Sequence, residues 1–138
     1  MARILVTGFC AVPGPTRAGV QMRHVVRALA SHVVDLLVMR DGDQPYVERQ
    51  GNGRLLRVPT HDADLKSQVQ AYQRALRRQL EGADYDVVHC RDAWGAAAVL
   101  EARERFGYAV VFDLARGSDD RSRSEEHTSE LQSQNAIS

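Results

Sequence analysis

Short apolar blocks alternate with longer stretches of helical period along the first 117 residues of the chain. The apolar blocks are rich in β-branched residues and predict five strands, at Ile4–Val6, Val33–Met39, Leu55–Val58, Tyr85–His89 and Ala109–Phe112. Only Asp35 interrupts the second block. A run without polar alternation is typical of a strand that is buried on both faces of a parallel sheet.

Three stretches between these strands place apolar residues at helical spacing, and they predict helices over about 18–30, 65–82 and 93–105. Each has a residue that can cap its amino end: Thr16, then Asp62 or Asp64, then Asp92. Polar loops are expected over residues 9–17 and 40–53. The alternation of strands and helices predicts an α/β fold, a Rossmann-like doubly wound parallel sheet.

The bulk properties fit one ordinary globular domain. The chain has 138 residues, a formal net charge of zero and two cysteines without metal-ligand spacing. A neutral balance argues against nucleic acid as a partner, and no apolar run approaches the roughly 20 residues of a membrane span. Arg74, Arg77 and Arg78 cluster on the second helix, where a solvated face is preferred to membrane association. We therefore expect a cytoplasmic protein without metal or cofactor.

The apolar pattern stops after Gly117. Residues 123–134 read RSEEHTSELQSQ, which matches the in-frame translation of a common short-read sequencing adapter, and residues 137–138 fit its continuation. We therefore interpret 1–117 as the domain and 118–138 as a non-native, disordered tail, with 123–138 derived from the adapter. The glutamates and the histidine of that tail are excluded from any site.

Ligands of doubly wound sheets bind beyond the carboxyl ends of the strands, so the loops there are the first place to search. The first loop contains neither GxGxxG nor GxxxxGK[ST]. Gly19 stands at the start of a helix, where backbone N–H groups favour an anion, although the glycine could equally ease a turn. Arg17 could meet a phosphate beside it or be an ordinary surface arginine.

The segment Asp86-Val87-Val88-His89-Cys90-Arg91-Asp92-Ala93-Trp94 is the most informative. A strand that ends in Asp-Val-Val-His, followed by a polar pair and a helix of small residues, resembles the N-terminal domain of family-4 glycosyltransferases of the GT-B fold. The opening strand, the Pro/Gly loop and the helix that Gly19 leads are similar to that family too. The resemblance covers about residues 3–117.

This resemblance implies a two-domain enzyme that transfers a sugar from a nucleotide-sugar to an acceptor, which the sequence does not identify. The N-terminal domain mainly binds the acceptor, whereas the C-terminal domain binds the donor and carries a paired-glutamate motif. The chain would then be an N-terminal fragment that is inactive alone. Many members also place a histidine after the fifth strand; here that segment has none, so Asp113 or Arg116 takes the polar role or the role is unused.

Each candidate site residue has a plainer alternative. The candidates for catalysis are His89, Asp92 and Arg116, those for the donor-phosphate side are Gly19 and Arg17, and those for the acceptor side are Arg91 and Trp94. His89 could be a hydrogen-bonded structural residue and Asp92 a helix cap. Trp94 could stack on an acceptor or pack in the core, and Arg91 could be a solvated surface residue.

Three other functions compete with this interpretation. Val6-Thr7-Gly8 with Gly14 superficially resembles an NAD(P)-dependent reductase, but Lys66, the only lysine, cannot complete a Tyr-x-x-x-Lys pair. A pyroglutamyl-peptidase-like hydrolase would need an Asn-Pro-Ser stretch that is missing. A non-catalytic Rossmann-like binding module remains, and it is the expected behaviour of an isolated half-cleft.

Overall fold

The computed structural model describes residues 1–59 and 64–113 of the chain. Within them, six strands form one sheet in the order β3-β4-β2-β1-β5-β6. The strands are β1 (Arg3–Ala11), β2 (Val33–Met39), β3 (Val47–Gln50), β4 (Gly53–Val58), β5 (Val87–Cys90) and β6 (Ala109–Phe112). All neighbours pair in parallel except β3, which is antiparallel to β4. The predicted α/β fold with a Rossmann-like doubly wound parallel sheet is confirmed, and the antiparallel edge strand β3 is an addition to it.

Three helices connect the strands, and a side chain caps each amino end. The helices are α1 (Arg17–Ala28), α2 (Leu65–Gly82) and α3 (Ala93–Phe106). Thr16, Asp64 and Asp92 each accept a hydrogen bond from the backbone N–H three residues further on. Such a bond satisfies one of the donors that the first helical turn leaves unpaired. The sequence signals for all three helix starts are therefore confirmed, with Asp64 as the second cap.

The sheet separates two apolar cores, because successive strand residues point to opposite faces. Leu5 of β1 joins the core under α2 and α3, where Tyr72 and Val99 are fully buried. Ile4 and Val6 join the core under α1, around Met22. One face of the sheet thus carries two helices and the other carries α1.

Two predicted loops contain strand. The loop expected over 9–17 begins later, because β1 continues to Ala11 past an irregularity in its pairing with β2 between Thr7 and Ala11. The loop expected over 40–53 contains β3, whose sequence VERQ is exposed except for a partly buried Gln50. A polar edge strand has no buried face, so it shows no apolar alternation along the sequence.

Three sequence predictions fall on residues that the structure does not describe. Arg116 and the tail 118–138 lie outside the described residues, as does the carboxyl end of the predicted domain after residue 113. No helix among residues 1–59 and 64–113 is both long and apolar enough to cross a bilayer.

Candidate functional site

The strand order reverses direction beside β1, and this reversal opens a crevice at the carboxyl ends of the strands. From β1 the chain passes to β2 on one side, and it later returns to β5 on the other side. In open α/β sheets, such a switch point is where ligands bind. The backbone here is tied together, since Arg91 N donates to Thr7 O at 2.9 Å and Asp113 N donates to Cys90 O at 3.0 Å.

Asp92 is held at this switch point by several donors at once. Its Oδ1 accepts from Gly95 N at 2.6 Å, and its Oδ2 accepts from Tyr72 Oη at 2.6 Å. The backbone N–H groups of Phe9 and Trp94 also stabilise its charged form, yet burial outweighs them and raises the pKa of the carboxyl group. Asp92 therefore joins β1, α2 and α3, as the capping alternative for this residue predicts.

A chain of hydroxyl groups continues from Asp92 into the sheet. Tyr72 Oη lies 2.8 Å from Thr7 Oγ1, which lies 3.0 Å from Leu37 O. Three contacts link Asp92 to Tyr72, Tyr72 to Thr7 and Thr7 to Leu37 O, and each needs one proton to be a hydrogen bond. The two hydroxyl groups supply only two protons. With a charged Asp92, Tyr72 donates to the carboxylate and Thr7 can serve only one of its two neighbours.

Arg91 is a buried bridge instead of the solvated residue that the simpler alternative predicts. Its side chain is 7% exposed. One guanidinium nitrogen donates to Asp113 Oδ2 at 2.5 Å, and the other donates to Gln21 Oε1 at 2.8 Å. The bridge fixes Asp113, after β6, to β5 and α1, while the Asp113 side chain stays 55% exposed. Asp113 is therefore the accessible carboxylate of this cluster.

His89 lies below that bridge and is mostly buried. Its Nε2 has no hydrogen-bond partner within the described residues and is 3.9 Å from Asp113 Oδ2, beyond hydrogen-bonding distance. Burial lowers the pKa of His89, and the positive charge of Arg91 lowers it further, while Asp113 acts in the opposite direction. The imidazole is therefore favoured in its neutral form, available as a donor or acceptor and not as a cation.

Trp94 contributes an exposed aromatic surface at the amino end of α3. Its side chain is 41% exposed. Its ring meets that of Phe9 edge-on at 4.9 Å, and Phe9 meets Tyr72 edge-on at 5.5 Å. Packing against Phe9 thus holds one side of the indole, as the packing alternative predicts, and the rest remains open to solvent; stacking on an acceptor stays a prediction.

The glycine in the first turn of α1 allows close packing against β1. Gly19 is buried, its N–H donates to Thr16 Oγ1 at 3.1 Å, and a Cβ at this position would lie 2.5 Å from Ala11 O. Arg17 is exposed at the first residue of the helix. A donor-phosphate role for either residue stays a prediction, and the Gly19 N–H already has a partner.

Arg57, which is not among the predicted site residues, holds the loop before α1 through hydrogen bonds to Val12 O. Its Nε and one terminal nitrogen both donate to Val12 O, at 3.1 and 2.7 Å. Its other terminal nitrogen binds Pro45 O and the Glu48 carboxylate. A charged residue inside the apolar block Leu55–Val58 is the available signal, because a buried cation needs partners.

The cysteines and acidic residues that the structure describes offer neither a thiolate nor a metal centre. Burial raises the thiol pKa of Cys10 to about 11 and that of Cys90 to about 12, so both stay protonated near neutral pH. Among residues 1–59 and 64–113, no group of three or more His, Cys, Asp or Glu side chains could hold a metal ion.

Comparison with known families finds one match over most of the chain. The sequence profile described as a glycosyl transferase 4-like domain matches residues 18–135. No curated protein matches the sequence significantly.

Solved structures share the fold at low sequence identity. Sucrose-phosphate synthase from Thermosynechococcus elongatus superposes with a TM-score of 0.69 at 13% identity, over 99% of this chain and 40% of that one. The C-terminal domain of a hydrogenase from Pyrococcus furiosus superposes with a TM-score of 0.58 at 18% identity, over 80% of this chain and 90% of that one. The chain thus spans about 40% of the length of the synthase. Two neighbours with such different names share only a fold, which does not select an activity.

Proposed function

Because the chain belongs to the glycosyl transferase 4-like family, we propose that the intact protein transfers a sugar from a nucleotide-sugar to an acceptor hydroxyl group. This chain supplies the acceptor-side wall of the reaction cleft. The second wall, which binds the donor, belongs to a further domain. The exposed Asp113 carboxylate, held rigidly at the switch point by Arg91, is the observation that carries the proposal.

In this proposal, Asp113 binds the acceptor and Arg91 positions it. A carboxylate accepts a hydrogen bond from a sugar or alcohol hydroxyl group, and a fixed carboxylate costs little reorganisation when it does so. Arg91 is too buried to meet a ligand itself, since its side chain is 7% exposed.

Trp94 would form the apolar side of the acceptor subsite. The exposed part of its indole ring can stack on the C–H face of a sugar ring, while the edge contact with Phe9 keeps the ring in place. Arg17, exposed at the amino end of α1, would face the donor phosphates together with the helix dipole. Asp92 receives no catalytic role, because the cap and Tyr72 occupy its carboxyl group.

The first test is the reading frame beyond this chain. The proposal expects the intact gene to encode a second Rossmann-like domain with a Glu-x7-Glu pattern. A stop codon shortly after Gly117, or a Tyr-x-x-x-Lys pair, would contradict it. Residues 1–117 alone should transfer no sugar from any nucleotide-sugar, since half a cleft cannot hold donor and acceptor together.

The second test uses the intact enzyme and its acceptor site. Asp113→Asn should lower kcat/KM for the acceptor by about tenfold, because a neutral amide oxygen accepts a weaker hydrogen bond from the hydroxyl group than a carboxylate does. The KM for the nucleotide-sugar should stay unchanged. Glu104→Gln, an exposed carboxylate on α3, is the matched control. Equal activities of the two variants would remove Asp113 from the site.

A further inference from the structure

A second cleft lies on the α1 face of the sheet, between α1 and the β3–β4 hairpin. Its volume is about 340 Å³, within the range of about 300–1,000 Å³ that is usual for small-molecule sites. Residues from α1, β2, β3 and β4 line it, and none of Gln21, His89, Arg91 and Asp113 is among them. The cleft is therefore separate from the crevice at the switch point.

The floor of the cleft is apolar and narrow. Val26, Val34, Leu36 and Leu55 form it, and each side chain is at most 8% exposed. A docked helix has a diameter of about 10 Å and needs a broad exposed apolar strip. Because so little of each floor side chain is exposed, the cleft has room for a compact apolar group but not for a helix.

The walls of the cleft carry an excess of positive charge. Arg23 and Arg27 lie four residues apart on α1, and Arg49 lies on β3 across the cleft. All three are exposed, and no hydrogen bond or ion pair with another described residue engages their guanidinium groups. Glu48, the only carboxylate in the lining, is neutralised by Arg57. Three uncompensated arginines thus surround the apolar floor.

We propose that this cleft binds a small organic anion, with a phosphate or carboxylate head and a compact apolar body. Guanidinium groups bind such oxyanions through two parallel hydrogen bonds, which a flexible ammonium group does not match. The apolar body lies on Leu36 and Leu55, while the head meets the arginines at the rim. This inference does not depend on the proposed sugar transfer.

A ligand in the cleft would also contact the loop before α1. Val12 and Pro13 line the cleft, and Arg57 binds Val12 O from inside it. The same loop leads into the amino end of α1, next to the switch point. A ligand in this cleft is therefore placed to change the position of the loop without entering the crevice.

The probe is phenyl phosphate, with inorganic phosphate and phenol as its two separate halves. Titration of the ¹⁵N-labelled chain, followed by NMR, should give saturable shifts at the amides of Leu36 and Leu55 and at the Nε groups of Arg23, Arg27 and Arg49. Phenyl phosphate should bind at least about tenfold more tightly than either half, because it uses both floor and rim. Benzoate tests whether a carboxylate head serves as well as a phosphate.

Paired arginine variants separate this site from general charge attraction. Arg23→Gln with Arg27→Gln should weaken phenyl phosphate binding by at least about tenfold. Arg74→Gln with Arg78→Gln removes two exposed arginines at the same spacing from α2 and should leave it unchanged. Equal weakening in both double variants would overturn the proposal, as would inorganic phosphate binding as tightly as phenyl phosphate. Absence of saturable binding, with self-association through this face, would assign the cleft to a protein contact instead.

Discussion

Two aspartate–tyrosine pairs lie toward opposite ends of the sheet and share the same local chemistry. Toward the amino ends of the strands, Tyr85 Oη donates to Asp35 Oδ2 at 2.6 Å. At the carboxyl ends, Tyr72 Oη donates to Asp92 Oδ2 at the same distance. Each carboxyl group also accepts a backbone N–H, at 2.9 Å for Asp35 and 2.6 Å for Asp92.

The surroundings of the two pairs differ. Asp35 is 2% exposed inside β2, and its charged neighbour Arg3 is 3.6 Å away. Asp92, in contrast, stands next to the exposed Trp94 ring and one residue from Arg91, which holds the exposed Asp113 carboxylate. The same pair therefore joins buried elements at one end and supports accessible groups at the other. This difference, and not the pair itself, distinguishes the end of the sheet where we propose the acceptor site.

The largest effect is expected from Asp35→Ala. The substitution leaves the Arg54 N–H and the Tyr85 hydroxyl group without their acceptor and removes the buried partner of Arg3. Breaking a buried charged network of this kind costs about 3–5 kcal/mol. Urea unfolding measures the loss. A loss below that of Asp92→Ala would contradict the ranking of the two ends.

The glycines that pack against the two pairs give the next comparison. A Cβ at Gly53 would lie 2.1 Å from Val34 O, a backbone atom that cannot move without distorting β2. A Cβ at Gly95 would lie 2.8 Å from Tyr72 Oη and 3.0 Å from Asp92 Oδ2, which are hydrogen-bonded side-chain atoms that can still move further than a strand backbone. We expect Gly53→Ala to cost about 3 kcal/mol and Gly95→Ala about 1–2 kcal/mol of the free energy of unfolding.

Thermal unfolding of both glycine variants tests this order. Gly82→Ala is the control, since a Cβ at Gly82, the last residue of α2, meets nothing within 4 Å. Equal losses of unfolding free energy in Gly53→Ala and Gly95→Ala would contradict this order, because the β2 backbone and the Tyr72 and Asp92 side chains would then accommodate a Cβ at the same cost.

The sequence predicts the strands and helices at both ends of the sheet better than it predicts the side-chain contacts there. Apolar blocks locate the parallel strands, because strands that are buried on both faces need continuous apolar sequence. Capping residues locate all three helix starts, because the free N–H groups of the first turn need an acceptor close in sequence. β3 leaves no such mark, since its exposed residues VERQ satisfy no apolar period. Periodicity along one strand also cannot show which residues of distant elements meet across the sheet.

The candidate site follows the same division. The sequence predicts that the segment around His89 and Asp92 follows a strand at its carboxyl end, and the structure confirms this position next to β1. The bridge from Gln21 through Arg91 to Asp113 joins residues up to 92 positions apart, which no local pattern encodes. The hydroxyl group of Tyr72 was foreseeable in part, since a buried tyrosine needs a hydrogen-bond partner.

A third comparison separates the cap from the charge at Asp92. Asp92→Ala removes the acceptor of Gly95 N and the partner of Tyr72. It should lower the free energy of unfolding, measured in urea, by about 2 kcal/mol. Asp92→Asn keeps a capping oxygen, and its amide can donate to Tyr72. Tyr72 can then donate to Thr7, and Thr7 to Leu37 O, so that all three contacts have a proton. Asp92→Asn should therefore cost less than about 1 kcal/mol. A loss equal to that of the alanine variant would show that the charge itself is required.

The smallest effect is expected from His89 and appears only as a dependence on pH. Burial and Arg91 lower its pKa in the folded chain below the usual value of 6.5. As the pH falls below that value, the unfolded chain binds the proton first, so the free energy of unfolding decreases. The raised pKa of Asp92 acts with the opposite sign, so only a difference between variants isolates the histidine. We expect the free energy of unfolding in urea to decrease less between about pH 7.5 and about pH 5.5 in His89→Gln than in the exposed control His24→Gln. Equal losses would mean that the buried imidazole, despite its position under the Arg91–Asp113 bridge, takes up its proton as readily as a solvated one.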